Sequence, residues 1–426
     1  MFKRYVRVSM KKPVVNLSFI FLFIGLMVNG MGQSVLFSIL APLSRSIGFM
    51  DSGVGIIISC SAAVLVVFSL LWGRVIDRIN IKYVFIFGLI SFGIGSLLFA
   101  YVLDLGQKGV IFPGTVLLWL IIVRMIYAAM TAGTHPSAMA YVTKLTGEKE
   151  RVSSIALISS SYSIGLVVGP AIVFIYDNGD VLSPIYFTSY LAVFVAIASV
   201  FVLKGFPSTI VNSVKENKVN PLKFWDGRIF PALISLMFVN VTFSCIQQSA
   251  GFLVQYLFTI TDSEASRKTG VILSTIALVM LFTQVILIQK FKIDYKKMIS
   301  VGYVLAILGL TSIVFSTVYI SFFSIVISMA ITGVGIGYLI PSLQTHLTLF
   351  ASSDEQGKIA GYIFSFSALG YIIGPLLGTG LIGLATWMPY LMSIVMLIFS
   401  ATCMLLGSKH GRKSTSNGLV QLITRK

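Results

Sequence analysis

The feature that most constrains this chain is a succession of long, nearly uncharged apolar runs separated by short polar segments. Bilayer hydrocarbon is ~30 Å thick, and a helix rising ~1.5 Å per residue needs ~20 apolar residues to cross it. Twelve runs meet that length, at roughly 17–40, 52–72, 84–103, 115–141, 153–175, 184–203, 229–258, 268–289, 298–319, 321–347, 358–381 and 386–407. Across the 426 residues 57% are hydrophobic and 11% charged, whereas a soluble domain carries about 25% charge. The polar surface needed by one or two soluble domains is therefore missing, and so is the composition of a disordered chain. No segment of domain length is polar enough to be the head of a single-span receptor. Membrane β-strands would appear as short alternating segments, not continuous runs. The chain is expected to be an all-α polytopic membrane protein with twelve transmembrane helices. Lys3, Arg4, Arg7, Lys11 and Lys12 precede the first run as they would in a signal peptide. That run is too long for a signal core and no clear cleavage site follows, so it reads as an uncleaved first span.

The positions of the charges orient the spans. The formal net charge is +17, from 31 basic and 14 acidic residues. With the N-terminus inside, 26 of the basic residues fall on the inner side and only Arg45, Lys108, Arg267 and Lys268 on the outer side. Lys and Arg accumulate in cytoplasmic loops, so both termini are expected in the cytoplasm, most simply of a cell (inner) membrane. The same asymmetry accounts for the net charge without nucleic acid. Cys60, Cys245 and Cys403 are far apart and lie in apolar runs, with no spacing suited to a metal or a disulfide framework.

The chain also repeats itself. Pro136–Pro170 aligns without gaps on Pro341–Pro375, with nine identities over 35 positions, including Pro136/Pro341, Gly165/Gly370, Gly169/Gly374 and Pro170/Pro375. Span four thus corresponds to span ten and span five to span eleven. Six spans is an even number, so the halves run in the same sense, as pseudo-symmetric six-helix bundles with a cavity between them. The domains expected are an N-terminal bundle over 1–203, a cytoplasmic linker over 204–228, a C-terminal bundle over 229–408 and a basic cytoplasmic tail over 409–426. The linker carries Lys204, Lys215, Lys218, Lys223 and Arg228, suited to contact with lipid headgroups.

Three motifs lead further. After span two the chain reads Gly73-Arg74-Val75-Ile76-Asp77-Arg78-Ile79-Asn80-Ile81-Lys82. Span four holds Leu120-x-x-x-Arg124-x-x-x-Ala128, and span five Gly165-x-x-x-Gly169-Pro170. Together they resemble the major facilitator superfamily, over about residues 15–408, and most closely its drug/proton antiporter-like exporters. The departures are Asn80 for a Gly, Ile81 for a basic residue, Ala128 for a Gly, and Val173 and Phe174 near the place of a trailing Gly pair. Asn tolerates positive φ better than other non-glycine residues, so the turn at Asn80 is expected to survive. The resemblance implies twelve helices in two bundles, transport by alternating access, and a site lined by spans one, four, seven and ten. It also implies that Gly73, Asp77 and Arg78 form a latch against the start of span eleven.

Candidate functional residues follow from polarity inside the membrane. Arg124 is the one unambiguous charge in mid-span, and such charges face the protein interior or a wet cavity. It is a candidate counter-ion for an anionic substrate, a participant in a proton step, or a packing residue. On the four cavity spans, the candidates for binding are Asn29 and Gln33; Arg124, Tyr127 and Thr131; Asn240 and Gln247; and Tyr338 and Gln344. Interhelical hydrogen bonding is the alternative use of each. No span carries a central Asp or Glu, which leaves Arg124, His135 and His346 as proton-coupling candidates. Gly165, Gly169, Pro170, Gly370, Gly374 and Pro375 are candidates for close helix packing.

Other chemistry finds no footing. There is no P-loop and no H-E-x-x-H, and Gly378-x-Gly380-x-x-Gly383 lies in an apolar run with no preceding strand. No catalytic residues, cofactor or metal are expected. The expected function is secondary active transport of a small organic solute, by proton-coupled export of a drug-like or siderophore-like molecule. An uptake permease for an anionic metabolite is the alternative, and a membrane-embedded enzyme or a receptor or scaffold is the alternative of another class. The partners expected are the substrate, protons and membrane lipids, with the protein as a monomer.

Overall fold

A computed structural model describes residues 16–76, 78–146, 148–175, 180–205, 225–227, 229–288, 294–349 and 356–423; the side chains of 148–153, 156, 356–358 and 406–423 lie outside that description. Among the described residues, twelve helices are long and apolar enough to cross a membrane. They are Leu17–Ile47, Asp51–Ile76, Ile81–Gln107, Pro113–Leu145, Leu157–Ile175, Ser183–Val202, Phe230–Leu257, Asp262–Leu287, Tyr295–Tyr319, Phe322–Leu349, Ile359–Ile382 and Met388–Leu405. An even number of crossings brings both ends of the chain to one face, called here the terminal face; the opposite one is the far face.

Helix ends follow local chemistry. Asn16 caps span one by accepting from the Phe19 amide at 2.9 Å, and Gly48 ends it in the left-handed region at φ 92°. Span eight begins at Asp262, earlier than its apolar run. Thr261 accepts from the Glu264 amide at 3.3 Å, and Asp262 and Glu264 sit at the positive end of the helix, so a polar first turn is held helical. Asn80 does not take positive φ. At φ −60° it caps span three instead, accepting from the Lys82 amide at 3.2 Å.

Span four, one run in the sequence, is two helices, Pro113–Thr131 and Thr134–Leu145. Pro136 has no N–H for the Ala132 carbonyl, and its ring crowds that carbonyl, so the helix stops and restarts. Substitute donors serve the carbonyls just before the break. The Trp72 indole N–H of span two donates to Ala129 at 2.8 Å, and the Thr134 hydroxyl to Thr131 at 2.8 Å. The equivalent Pro341 lies inside the continuous helix Phe322–Leu349. The C-terminal half carries its irregularity elsewhere, as a π-helical turn at Thr283–Leu287 of span eight.

The pattern of helix contacts is two-fold. Span one packs on five as seven packs on eleven; two on four as eight on ten; three on six as nine on twelve; one on six as seven on twelve. Between the halves, span two packs on eleven and span five on eight, again equivalent pairs. The one–five and seven–eleven contacts and the two contacts between the halves use the repeated Gly-x-x-x-Gly-Pro. A methyl group at Gly165 or Gly169 would overlap the Met27 or Met31 carbonyl of span one. One at Gly374 would sit 2.7 Å from the Val241 carbonyl of span seven. Between the halves, Gly55 of span two would place a methyl 2.8 Å from the Pro375 carbonyl, and Gly270 of span eight one 2.7 Å from the Pro170 carbonyl. Without a hydrophobic drive inside lipid, such backbone approach is what holds helices together.

This packing separates two glycines of the same helix. Gly374→Ala forces backbone apart and is expected to destabilise by about 1–3 kcal/mol. Gly380→Ala, where a methyl meets nothing within 4 Å, is expected to be neutral or slightly stabilising. Melting temperatures of the two purified variants check this, and equal losses would contradict it.

Candidate functional site

A guanidinium in hydrocarbon must be solvated by protein, so the surroundings of Arg124 define the site. Arg124 is 3% exposed. Its Nη2 donates to Gln33 Oε1 of span one at 2.6 Å, and its guanidinium carbon lies 4.8 Å from the centre of the Tyr127 ring. Tyr162 of span five is near enough to interact with it electrostatically. Nε is buried and has no hydrogen-bond partner among the described residues. No carboxylate supplies the opposite charge in mid-membrane: all 14 acidic residues stand, in sequence, in the first or last turn of a helix or between helices.

Around this cation the N-terminal half is packed. The Tyr127 ring meets Phe92 edge-on at 6.3 Å and lies over Gly95 of span three, where no side chain would fit. The Thr131 hydroxyl is directed at the Gly88 carbonyl of span three, 3.5 Å away. His135 follows the break in span four; it is exposed, and its ring meets Tyr162 edge-on at 6.3 Å. Asn29 and Gln33 are both half-buried on span one.

In the C-terminal half, Asn240 Nδ2 donates to the Leu236 carbonyl at 2.8 Å and to Ser367 Oγ at 3.4 Å, which ties span seven to span eleven. Tyr338 is buried, and Gln247 and Gln344 are half-buried. His346 stacks obliquely on Tyr295 of span nine at 5.8 Å. Gln33, Arg124 and Tyr127 are thus brought together, with His135 one step away through Tyr162. Thr131 and Asn240 are engaged in helix packing, and His346 belongs to a separate contact. In the last turns of span two, a methyl at Gly73 would meet nothing within 4 Å, and just after the helix the Arg78 amide donates to the Val75 carbonyl at 3.0 Å; Asp77 lies outside the described residues. Of the packing candidates, Gly165 and Gly169 face span one, Gly370 and Gly374 face span seven, and Pro170 and Pro375 meet glycines of the opposite half.

Tyr162 joins the site, with Tyr371 of the other half near it, and polarity on four spans singled out neither. Tyr162 stands where the repeat has Ser367, and Tyr371 of span eleven, 40% exposed, lies close enough to Tyr162 to interact with it electrostatically across the halves. The sequence carried no distinct signal for either, since Tyr162/Ser367 is one of many differing pairs in the repeat.

The halves are closed on one another at the far face. Arg45 Nε and Nη2 each reach Asp51 at 3.1 Å. The Tyr256 hydroxyl of span seven donates to Asp51 at 2.8 Å, and the Arg45 guanidinium lies 3.6 Å above the Tyr256 ring. Beside it, Gln255 Nε2 donates to the Pro42 carbonyl at 3.1 Å. Two bundles with two-fold packing, closed on one another at the far face, and a buried cation within one of them describe a carrier. The sequence profile of the Major Facilitator Superfamily matches residues 22–319 and 232–422.

The chain belongs to the major facilitator superfamily.

It is therefore a membrane transporter and not an enzyme. Among curated superfamily members it is 23% identical over 385 residues to Multidrug resistance protein 1 of Bacillus subtilis, covering 90% of this chain and 94% of that one. Multidrug resistance protein 2 of the same organism is 26% identical over 383 residues, covering 88% and 90%. Among solved structures, a bacterial homolog of the human lysosomal transporter Spinster, inward-facing and occupied, superposes with a TM-score of 0.71 at 15% identity, covering 94% of this chain and 98% of that one.

The clasp at the far face joins the halves through one carboxylate, so Asp51→Asn is expected to loosen it. With Cys60, Cys245 and Cys403 replaced, a cysteine at buried Ala41 should then react several-fold faster with a maleimide, a gain of the size that losing one charge-assisted hydrogen bond gives. An unchanged rate would show that the clasp does not hold the face shut.

Proposed function

We propose that this protein exports small organic, drug-like or siderophore-like molecules by alternating access, driven by proton exchange. In this reading both termini lie in the cytoplasm of the inner membrane and the monomer is the working unit. The observation that carries it is the pair of equivalent cross-half contacts, Gly55 on the Pro375 carbonyl and Gly270 on the Pro170 carbonyl. Smooth backbone against backbone lets two rigid bundles rock about a shared centre. Support for export comes from similarity to multidrug resistance proteins over nearly the whole chain, and support for the orientation from the basic residues gathered toward the terminal face.

Mechanistically, solute enters between the halves from the terminal face while the Arg45–Asp51–Tyr256 clasp shuts the far one. Breaking the clasp and closing the terminal face releases it on the other side. Gly73, Asp77 and Arg78 would latch the terminal face in that second state. His135, next to Tyr162, and His346, next to Tyr295, are the groups proposed to exchange the coupling proton, with Arg124 setting the local field. The polar side chains of Asn29, Gln33, Gln247, Tyr338 and Gln344 would complete the solute's surroundings.

A second reading, uptake of an anionic metabolite, is favoured by the absence of a mid-membrane acid beside Arg124. Direction distinguishes the two. In proteoliposomes, flux of a panel of organic solutes is expected to run against an imposed proton gradient and to fall when that gradient is dissipated. Flux indifferent to the gradient would remove proton coupling, and solute moving with the protons would favour uptake. Arg124→Ala is expected to insert normally and to lose transport; wild-type flux in that variant would remove Arg124 from the mechanism.

A further inference from the structure

An uncompensated cation is costly inside a membrane, and the groups shown around Arg124 among the described residues, Gln33, Tyr127 and Tyr162, are neutral. Its one hydrogen-bond acceptor among the described residues is the amide oxygen of Gln33, a half-buried side chain from another helix. The neighbouring Nε is buried without a partner. The guanidinium fork suits a planar bidentate anion, for which a single amide oxygen is an incomplete substitute. Aromatic surface lies alongside in Tyr127, whose ring centre is 4.8 Å from the guanidinium carbon, and in half-buried Tyr162 of span five, which interacts with it electrostatically.

We propose that Gln33 is a placeholder on Arg124, and that the transported solute is an organic anion whose carboxylate or sulfonate displaces it while its aromatic or apolar body rests beside Tyr127 and Tyr162. The inference rests on the transporter reading and adds the charge of the cargo to it. The incoming anion supplies the counter-charge that the chain lacks. The freed Gln33 amide N–H can then donate to a remaining lone pair on one of the anion's oxygens. Binding thus converts an unpaired charge into a paired one, so the bound state is favoured by more than contact area alone. It also couples span one to span four through the cargo.

The test is a matched trio of probes, 2-naphthoate, 2-naphthamide and 2-naphthylmethylammonium, titrated onto the purified full-length protein by calorimetry. Wild type is expected to bind the carboxylate at least about tenfold tighter than the amide, the gain of one charge-assisted bidentate pair, and the ammonium most weakly. Arg124→Gln should erase the preference and Arg124→Lys should keep part of it. Gln33→Glu is the sharper variant. It places a permanent carboxylate where the amide sits 2.6 Å from Arg124, so it should abolish carboxylate binding while leaving the fold intact. Equal binding of the three probes, preference for the ammonium, failure of the carboxylate to bind, or a preference that survives both Arg124→Gln and Gln33→Glu would overturn the proposal. Parallel flux in proteoliposomes keeps the two ideas apart. Flux of neutral or cationic solutes without any anion preference removes the anion and leaves the carrier. Carboxylate binding with no flux of any probe removes the carrier and leaves the anion site.

Discussion

Hydrocarbon offers no hydrogen bonds, and most of what is seen here follows from that. Every backbone N–H and C=O in the lipid must be satisfied within the protein, which forces helices and makes any break a matter of finding replacement partners. Span four illustrates the cost and its repair. Pro136 interrupts the ladder, and the Trp72 indole and Thr134 hydroxyl take over nearby carbonyls. The same solvent removes the hydrophobic drive between helices. Cohesion then depends on how closely backbones approach, and glycines are placed where they do, at Gly165 and Gly169 on span one and at Gly370 and Gly374 on span seven.

The duplication is symmetrical where the fold needs it and asymmetrical where function resides. Equivalent helices pair in both halves, and equivalent Gly–Pro contacts join them. The N-terminal half alone breaks its fourth span, beside His135, and alone places a charge at mid-membrane. The C-terminal half keeps its equivalent helix whole despite Pro341 and carries a π-helical turn in span eight instead. One half thus presents the cation with its amide partner, while the other contributes Tyr256 to the far-face clasp.

Much of the fold was legible in the chain, because the membrane imposes a length and a polarity that can be counted along it. Twelve runs, the even parity of the termini, the repeat at Pro136 and Pro341, and the isolation of Arg124 need no coordinates. Helix limits were less legible where polar residues are held helical by caps, as at Asp262, or where a turn chose a different backbone, as at Asn80. Of the candidate site, Gln33, Arg124 and Tyr127 do converge. Thr131 shares their helical stripe but faces span three, since periodicity names the residues on a face and not the neighbour that face meets.

By itself the sequence determined the number of crossings, the all-helical class, the parallel duplication and the presence of a buried cation without an acid to match it. These are properties of single segments, or of comparing one segment with another. Only the tertiary structure decided that Gln33, 91 positions from Arg124, is its acceptor, that Tyr162 and Tyr371 approach across the halves, and that Asp51 closes the far face with Tyr256, 205 positions away. Such pairings depend on the rotation and tilt of each helix against its neighbours. Those are set by summed side-chain packing over the whole bundle, which no local pattern in the chain encodes.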